Sequence, residues 1–152
     1  MSAAQIRVAA AADVGRLAAL RRAWLEEYVA RPIDDEHFER DFADWYDSES
    51  ARRTTWLATV DGDDVGMLNM TEFRRMPQPG MPRRCWGYIA NAFVLAEHRD
   101  GGVGAKLLDA ALQHASRRGY ARLVLSPSPR SVPFYRRAGF VPADSLLVLE
   151  LG

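Results

Sequence analysis

Ten consecutive residues, Trp86 to Leu95 (WGYIANAFVL), carry no charged side chain and a single amide, Asn91. A run this apolar and this short has to be covered on both faces, which is the situation of a central strand in a sheet flanked by helices. A glycine cluster follows it, Arg99-Asp100-Gly101-Gly102-Val103-Gly104-Ala105. A helix is then predicted from Ala105 to Arg118, with Leu108, Ala111, Leu112 and Ala115 on one face and Gly119 placed as its C′ residue. Ala121 to Ser126 (ARLVLS) reads as the next strand. Strand, helix and strand in that order make a parallel crossover unit.

The upstream half has a different rhythm. Ile6 to Ala9 reads as a short strand, and Asp13 offers an N-cap to a helix carrying Val14, Leu17, Leu20, Trp24, Leu25 and Tyr28 at helical spacing. Pro32 ends that helix, and a second pattern from Asp34 to Tyr46 places Phe38, Phe42 and Trp45 on one stripe. Thr54 to Val60 and Val65 to Met70 read as a hairpin around the turn Asp61 to Asp64, and residues 73–84, with three prolines and a glycine, read as a loop. Past the crossover unit, a short helix carries Phe134 and Tyr135 and ends at Gly139, and Leu146 to Leu151 is predicted to be a final strand. The order β-α-α-β-β-β-α-β-α-β fits a mixed sheet with helices on both faces, in one domain over residues 1–152.

Composition narrows the function. Twenty basic and twenty acidic residues cancel, which gives no electrostatic reason to expect nucleic acid or an anionic membrane as partner. One cysteine, Cys85, makes no internal disulfide, and no stretch has the pattern of a signal peptide or a membrane span, so the cytoplasm is the expected compartment. The three histidines are scattered and no ligand-spaced cluster is evident, so no metal is expected.

The glycine cluster is the sharpest local signal. It joins a buried strand to a helix N-terminus, where backbone N–H groups lack internal partners and the helix dipole is positive. Glycines let a ligand approach that backbone, so the segment can cradle a diphosphate, with Arg99 as a forked donor. Two familiar phosphate motifs fail here. Lys106 is not preceded by G-x-x-x-x-G, and Leu107 stands where the dinucleotide fingerprint needs its third glycine. A tight strand-to-helix turn with no ligand is the plain structural alternative.

Val94 to Leu108 (VLAEHRDGGVGAKLL) resembles the coenzyme A motif of the GNAT superfamily of N-acetyltransferases, R/Q-x-x-G-x-G/A, here Arg99-x-x-Gly102-x-Gly104. Further on, Ser128-x-x-Ser131-x-x-Phe134-Tyr135-x-x-x-Gly139-Phe140 resembles that family's second motif, N-x-x-A-x-x-(L/F)-Y-x-x-x-G-F. Serine stands at both Ser128 and Ser131 where the family usually has asparagine and alanine, which points to weakened contacts with the pantetheine arm. Pro133 places the helix start near Ser131. The close resemblance covers about Trp86 to Phe140.

The resemblance implies a central strand that splays from its parallel neighbour in a V. It implies acetyl-coenzyme A as acyl donor, its pantetheine paired with backbone groups of Phe93, Val94 and Leu95. The diphosphate would then lie on N–H groups of Asp100, Gly101, Gly102, Val103, Gly104 and Ala105. Tyr135 matches the family's general acid, and a backbone N–H near Val94 matches an oxyanion donor. Many relatives carry a glutamate base on the central strand, and here that strand offers only Asn91, which orients a water or an amine but takes no proton. Glu26, Glu27, Asp34, His37 and Glu72 are the other base candidates, each with a solvated side chain as its plain alternative. Among Trp24, Tyr28, Trp45, Trp56 and Trp86, the picks for acceptor-pocket walls are Tyr28 and Trp86. The expected reaction is direct transfer to a primary amine, of a small molecule or a peptide. A non-catalytic coenzyme A sensor and a nucleotide-binding domain are the rival readings, and a homodimer fits the family pattern.

Overall fold

The computed structural model describes residues 2–152. Five strands, β1 (Gln5–Val8), β2 (Arg53–Val60), β3 (Asp63–Arg74), β4 (Cys85–Val94) and β5 (Leu123–Leu125), form one sheet in sequence order. The first three pairings are antiparallel and β4 pairs with β5 in parallel. The helices are α1 (Val14–Val29), α2 (Phe38–Glu49), α3 (Val103–Arg117) and α4 (Val132–Arg137).

Alternation along the strands divides the core between the two faces. Trp56, Ala58, Leu68, Met70 and Ile89 pack with Leu107, Leu108 and Ala111 of α3, while Leu57 and Met67 pack with Leu17 and Leu20 of α1. A bulge opposite Ala58 and Thr59 inserts Val65 into β3 and turns it onto the α3 face, where it is fully buried. The result is the expected α/β fold, a mixed sheet with helices on both faces.

Several element boundaries differ from expectation. The hairpin turn is only Asp61-Gly62, both with positive φ, and Asp63 and Asp64 already belong to β3. β3 runs on to Arg74, because Phe73 stacks on Trp86 across the ladder at 4.5 Å. Asp13 does not cap α1 through its side chain. Its carboxylate accepts from Ala10 N–H and from both terminal nitrogens of Arg7, which hold it well below the usual carboxylate range. α2 begins four residues later than expected, since Asp35 folds back to accept from His37 N–H, and Arg22 donates to the carbonyls of Ile33 and Asp35. The predicted strand at Leu146 to Leu151 is absent. No ladder partner reaches it, and its leucines lie exposed, Leu147 completely.

Candidate active site

β4 has two unlike halves. From Gly87 to Ile89 it pairs with Leu123 to Leu125 of β5, and beyond Ile89 the parallel pairing stops. One residue later the register with β3 shifts, so that Asn91 and Ala92 stand opposite Leu68 alone. This is a β-bulge, and it is built on a left-handed residue, Asn91, with φ 55°. Asparagine tolerates that conformation better than other residues with a side chain. The bulge bends β4 away from β5, and a cleft of about 970 Å³ occupies the gap.

Backbone alternation settles which groups face the gap. Leu95 N–H donates to Val65 O at 2.8 Å, on the β3 side. The neighbouring Val94 therefore turns its N–H and C=O toward the gap. Its carbonyl accepts from Arg99 Nε at 2.9 Å, and its N–H faces the opening. Of the three residues predicted to pair with a pantetheine, only Val94 offers backbone polar groups there. Leu95 spends its N–H in the ladder and packs its side chain against the α1 face, outside the cleft wall. Phe93 contributes its ring, which is buried and stacked on Trp24 at 5.7 Å.

The glycine cluster closes one end of the cleft. α3 starts at Val103, two residues before the expected start, with Gly102 as N-cap at φ 87°. A side chain at position 102 would be strained in that conformation, so this glycine serves the backbone. Gly104 lines the cleft, and a Cβ there would make only ordinary contacts, 3.6 Å from the Phe134 ring and 3.9 Å from Val94, so packing within the protein does not demand a glycine. Among the described residues, no N–H from Asp100 to Ala105 makes a well-formed hydrogen bond to a protein acceptor. Asp100, Gly102, Gly104 and Ala105 line the cleft, whereas Gly101 and the buried Val103 side chain do not.

Arg99 departs from its expected role. Its two terminal nitrogens donate to the two carboxylate oxygens of Glu27 at 2.6 and 2.7 Å, and Nε donates to Val94 O. Three of its five N–H groups have protein partners, and its charge is matched by Glu27. The Ser128 and Ser131 hydroxyls are likewise paired with each other at 3.0 Å. Ser128 also caps the single 3-10 turn Pro129–Ser131 that leads into α4, with Pro133 in the first turn of α4 as expected.

Tyr135 lies at the back of the cleft. Its ring is 8% exposed and packs edge-on against Phe134 and Phe140. The hydroxyl has no protein partner, yet no buried polar side-chain atom among the described residues is left unpaired, so it opens onto the cleft. Burial pushes the phenol above its usual range, which keeps it protonated at neutral pH.

Of the base candidates, only Glu27 lines the cleft. Its hydrogen bonds from Arg99 lower its proton affinity, which makes it a poor base. Glu72 is spent on Arg118 and the Tyr120 hydroxyl, and Glu26 accepts from Ile33 N–H. Trp86, expected at a pocket wall, stacks on Phe73 under Arg122 and is absent from the cleft, while Trp24 joins Tyr28 there. Arg130 and Arg137 also line it. The arginines had no pattern in the sequence to mark them. Trp24, Glu27 and Tyr28 did, since i, i+3 and i+4 share one helix face.

The model of the acetyltransferase (GNAT) family matches residues 17–140. The chain belongs to this family. This acetyltransferase also matches solved structures along nearly its whole length. A predicted acetyltransferase of Clostridium acetobutylicum, crystallised with acetyl-CoA, superposes with TM-score 0.79 at 20% identity, covering 97% of this chain and 96% of that one. A ribosomal-protein-alanine N-acetyltransferase of Brucella melitensis biovar Abortus gives 0.73 at 22% identity, with 99% and 100% covered. The glucosamine-6-phosphate N-acetyltransferase of Arabidopsis thaliana gives 0.72 at 13% identity, with 99% of each chain covered. Comparison with curated protein sequences finds no match. The enzyme is thus an acetyltransferase. No helix among its described residues is long and apolar enough to cross a membrane.

Proposed function

We propose that this single-domain acetyltransferase transfers the acetyl group to a primary amine, of a small molecule or a peptide, by direct attack within a ternary complex. One observation carries the reading: Val94, Asp100, Gly102, Gly104, Ala105 and Tyr135 all line one cleft, and Val94 N–H faces it. The amides at the start of α3 receive the diphosphate, where unpartnered N–H groups and the helix dipole favour negative charge. The thioester then lies along the open edge of β4. Val94 N–H is placed to stabilise charge developing on the thioester oxygen. Tyr135, kept protonated by burial, gives its proton to the departing thiolate. Asn91, on the bulge, orients the incoming amine.

Glu27 is tied to Arg99, and the other proton acceptors on the cleft wall, His98 and Asp100, belong to the glycine-cluster end that receives the diphosphate, so the amine enters in its neutral form. A primary amine of pKa about 10 is roughly 1% neutral at pH 8, and kcat/KM should rise tenfold per pH unit until the amine's own pKa is reached. Direct attack is supported by the lack of an activated nucleophile: Ser128 and Ser131 bond to each other, and Cys85 lies outside the cleft with its thiol pushed up by burial. Two of the similar structures are of named N-acetyltransferases, which favours nitrogen as the acceptor atom.

The test is thiol release from acetyl-CoA with the purified enzyme across a panel of amines, alcohols and water. Acceptor-dependent release with one class of amine supports the proposal. Release with an alcohol in preference to every amine overturns it.

A further inference from the structure

One cluster bordering the cleft touches no reacting atom in this mechanism and still holds the wall in place. Glu27, in the last turn of α1, meets the Arg99 guanidinium end-on through two bonds of 2.6 and 2.7 Å. The same guanidinium reaches back through Nε to Val94 O at 2.9 Å. It also lies over the Phe93 ring, 5.6 Å from its centre, while Phe93 stacks on Trp24 and Arg21 covers the Trp24 ring at 4.6 Å. The contacts form a clasp in which Trp24 and Glu27, three residues apart on α1, grip the end of β4.

The clasp acts on a defined peptide. The unit between Val94 and Leu95 is held at both ends, its carbonyl by Arg99 and its N–H by Val65 O. On the other side of Val94, the strand has just left its bulge at Asn91 and has no β5 neighbour to fix it. This strand end is paired on its β3 side alone, Phe93 with Met67 and Val94 with Gly66, so on the open side the clasp stands where a neighbouring strand would be. The clasp also occupies the Val94 carbonyl, so a ligand lying along this edge meets a donor at Val94 and no free acceptor.

We infer that Glu27 is a positioning residue for acetyl transfer: through Arg99 it fixes the Val94–Leu95 peptide and so aims the adjoining Val94 N–H into the gap. The inference rests on the role given to Val94 N–H above. Guanidinium geometry is required, because one side chain has to span a carboxylate and a carbonyl together, and a lysine ammonium has no such fork. An aim that matters chiefly in the transition state affects kcat more than KM.

The experiment compares wild type with Glu27→Gln and with the charge exchange Glu27→Arg/Arg99→Glu. Rates are read as thiol release from acetyl-CoA with the best amine, or with water if no amine is accepted, alongside amide hydrogen exchange at Leu95. Glu27→Gln should lower kcat by about 10- to 100-fold, the scale of a misplaced catalytic group. The KM for acetyl-CoA should stay within about threefold, and Leu95 should exchange faster. The charge exchange restores an ion pair but puts a carboxylate, with no donor, beside Val94 O. It should recover thermal stability and leave kcat low. Recovery of kcat by the charge exchange, or an unchanged kcat in Glu27→Gln, overturns the inference. Absence of any amine-dependent release by wild type sinks the acceptor reading alone, because the water reaction and the Leu95 exchange still read the clasp.

Discussion

The two halves of β4 share one strand and one partner on the β3 side, and they are built for opposite ends. From Gly87 to Ile89 the strand is closed in. A Cβ on Gly87 would meet Leu123 at 2.7 Å, Tyr120 at 2.9 Å and Met70 at 3.0 Å, and Ile89 is buried in the α3-side core. From Ala90 to Val94 the β5 side is empty, the backbone carries a left-handed residue, and the end is held by the β3 ladder on one edge and a side-chain clasp on the other. The closed half shows where packing forbids change. The open half keeps one edge available for a ligand, with strand pairing on its β3 edge and side-chain contacts from Arg99 at its end.

That contrast can be broken from either side. The largest effect is expected from Tyr135→Phe, which removes the proposed proton donor from the cleft wall and keeps the ring. It should lower kcat by about 100- to 1,000-fold, within the range of general acid catalysis, with acetyl-CoA affinity and melting temperature nearly unchanged. Equal losses in kcat and affinity would mark a packing role. Gly104→Glu puts bulk and negative charge at the α3 N-terminus and should weaken acetyl-CoA binding by at least about 100-fold, the scale of losing several charge-assisted contacts. The fold should survive, since the nearest neighbour of the new Cβ is a ring at ordinary contact distance. Isothermal titration with coenzyme A reads the first effect and thermal unfolding the second.

In the closed half the pattern should invert. Gly87→Ala overpacks a filled site and should cost roughly 1–3 kcal/mol by urea denaturation, with the KM for acetyl-CoA of the remaining folded enzyme unchanged. The smallest effect is a pH signature at the same level of the sheet. Glu72, opposite Gly87, accepts from Arg118 and from the Tyr120 hydroxyl, and these contacts lower its pKa below the ordinary value. A depressed folded-state pKa contributes stability above the unfolded value and loses it as pH falls through the folded one. Glu72→Gln should therefore cost about 1 kcal/mol or less at pH 7, because Arg118 is half exposed and solvent screens the pair. The gap from wild type should close as the pH is lowered below about 4.3. A gap that widens on acidification would contradict the assignment.

How much of this was legible in the sequence depended on how local the signal was. The apolar run of β4, the glycines before α3 and the Phe134-Tyr135 pair are short-range patterns, and each placed its element within a few residues. The strand expected at Leu146 to Leu151 failed because apolar β-prone residues specify a strand only when a ladder partner exists, and β5 is three residues long. Arg99 and the serines illustrate the other limit. A motif identifies the residue type at a position and not its hydrogen-bond partner, and Glu27 lies 72 residues before Arg99. The bulge at Asn91 was hidden as well, because no local composition separates a bulged strand from a regular one.

In the proposed mechanism, backbone amides at the α3 N-terminus and one amide of β4 meet the same acyl carrier. Titrating isotopically labelled enzyme with coenzyme A, and following the amide resonances, tests both at once. The predicted result is that the largest shifts fall on Gly102 to Ala105 and on Val94, with Gly87 to Ile89 nearly still. Saturable binding that leaves Gly102 to Ala105 and Val94 unmoved, with its shifts elsewhere on the molecule, would contradict it.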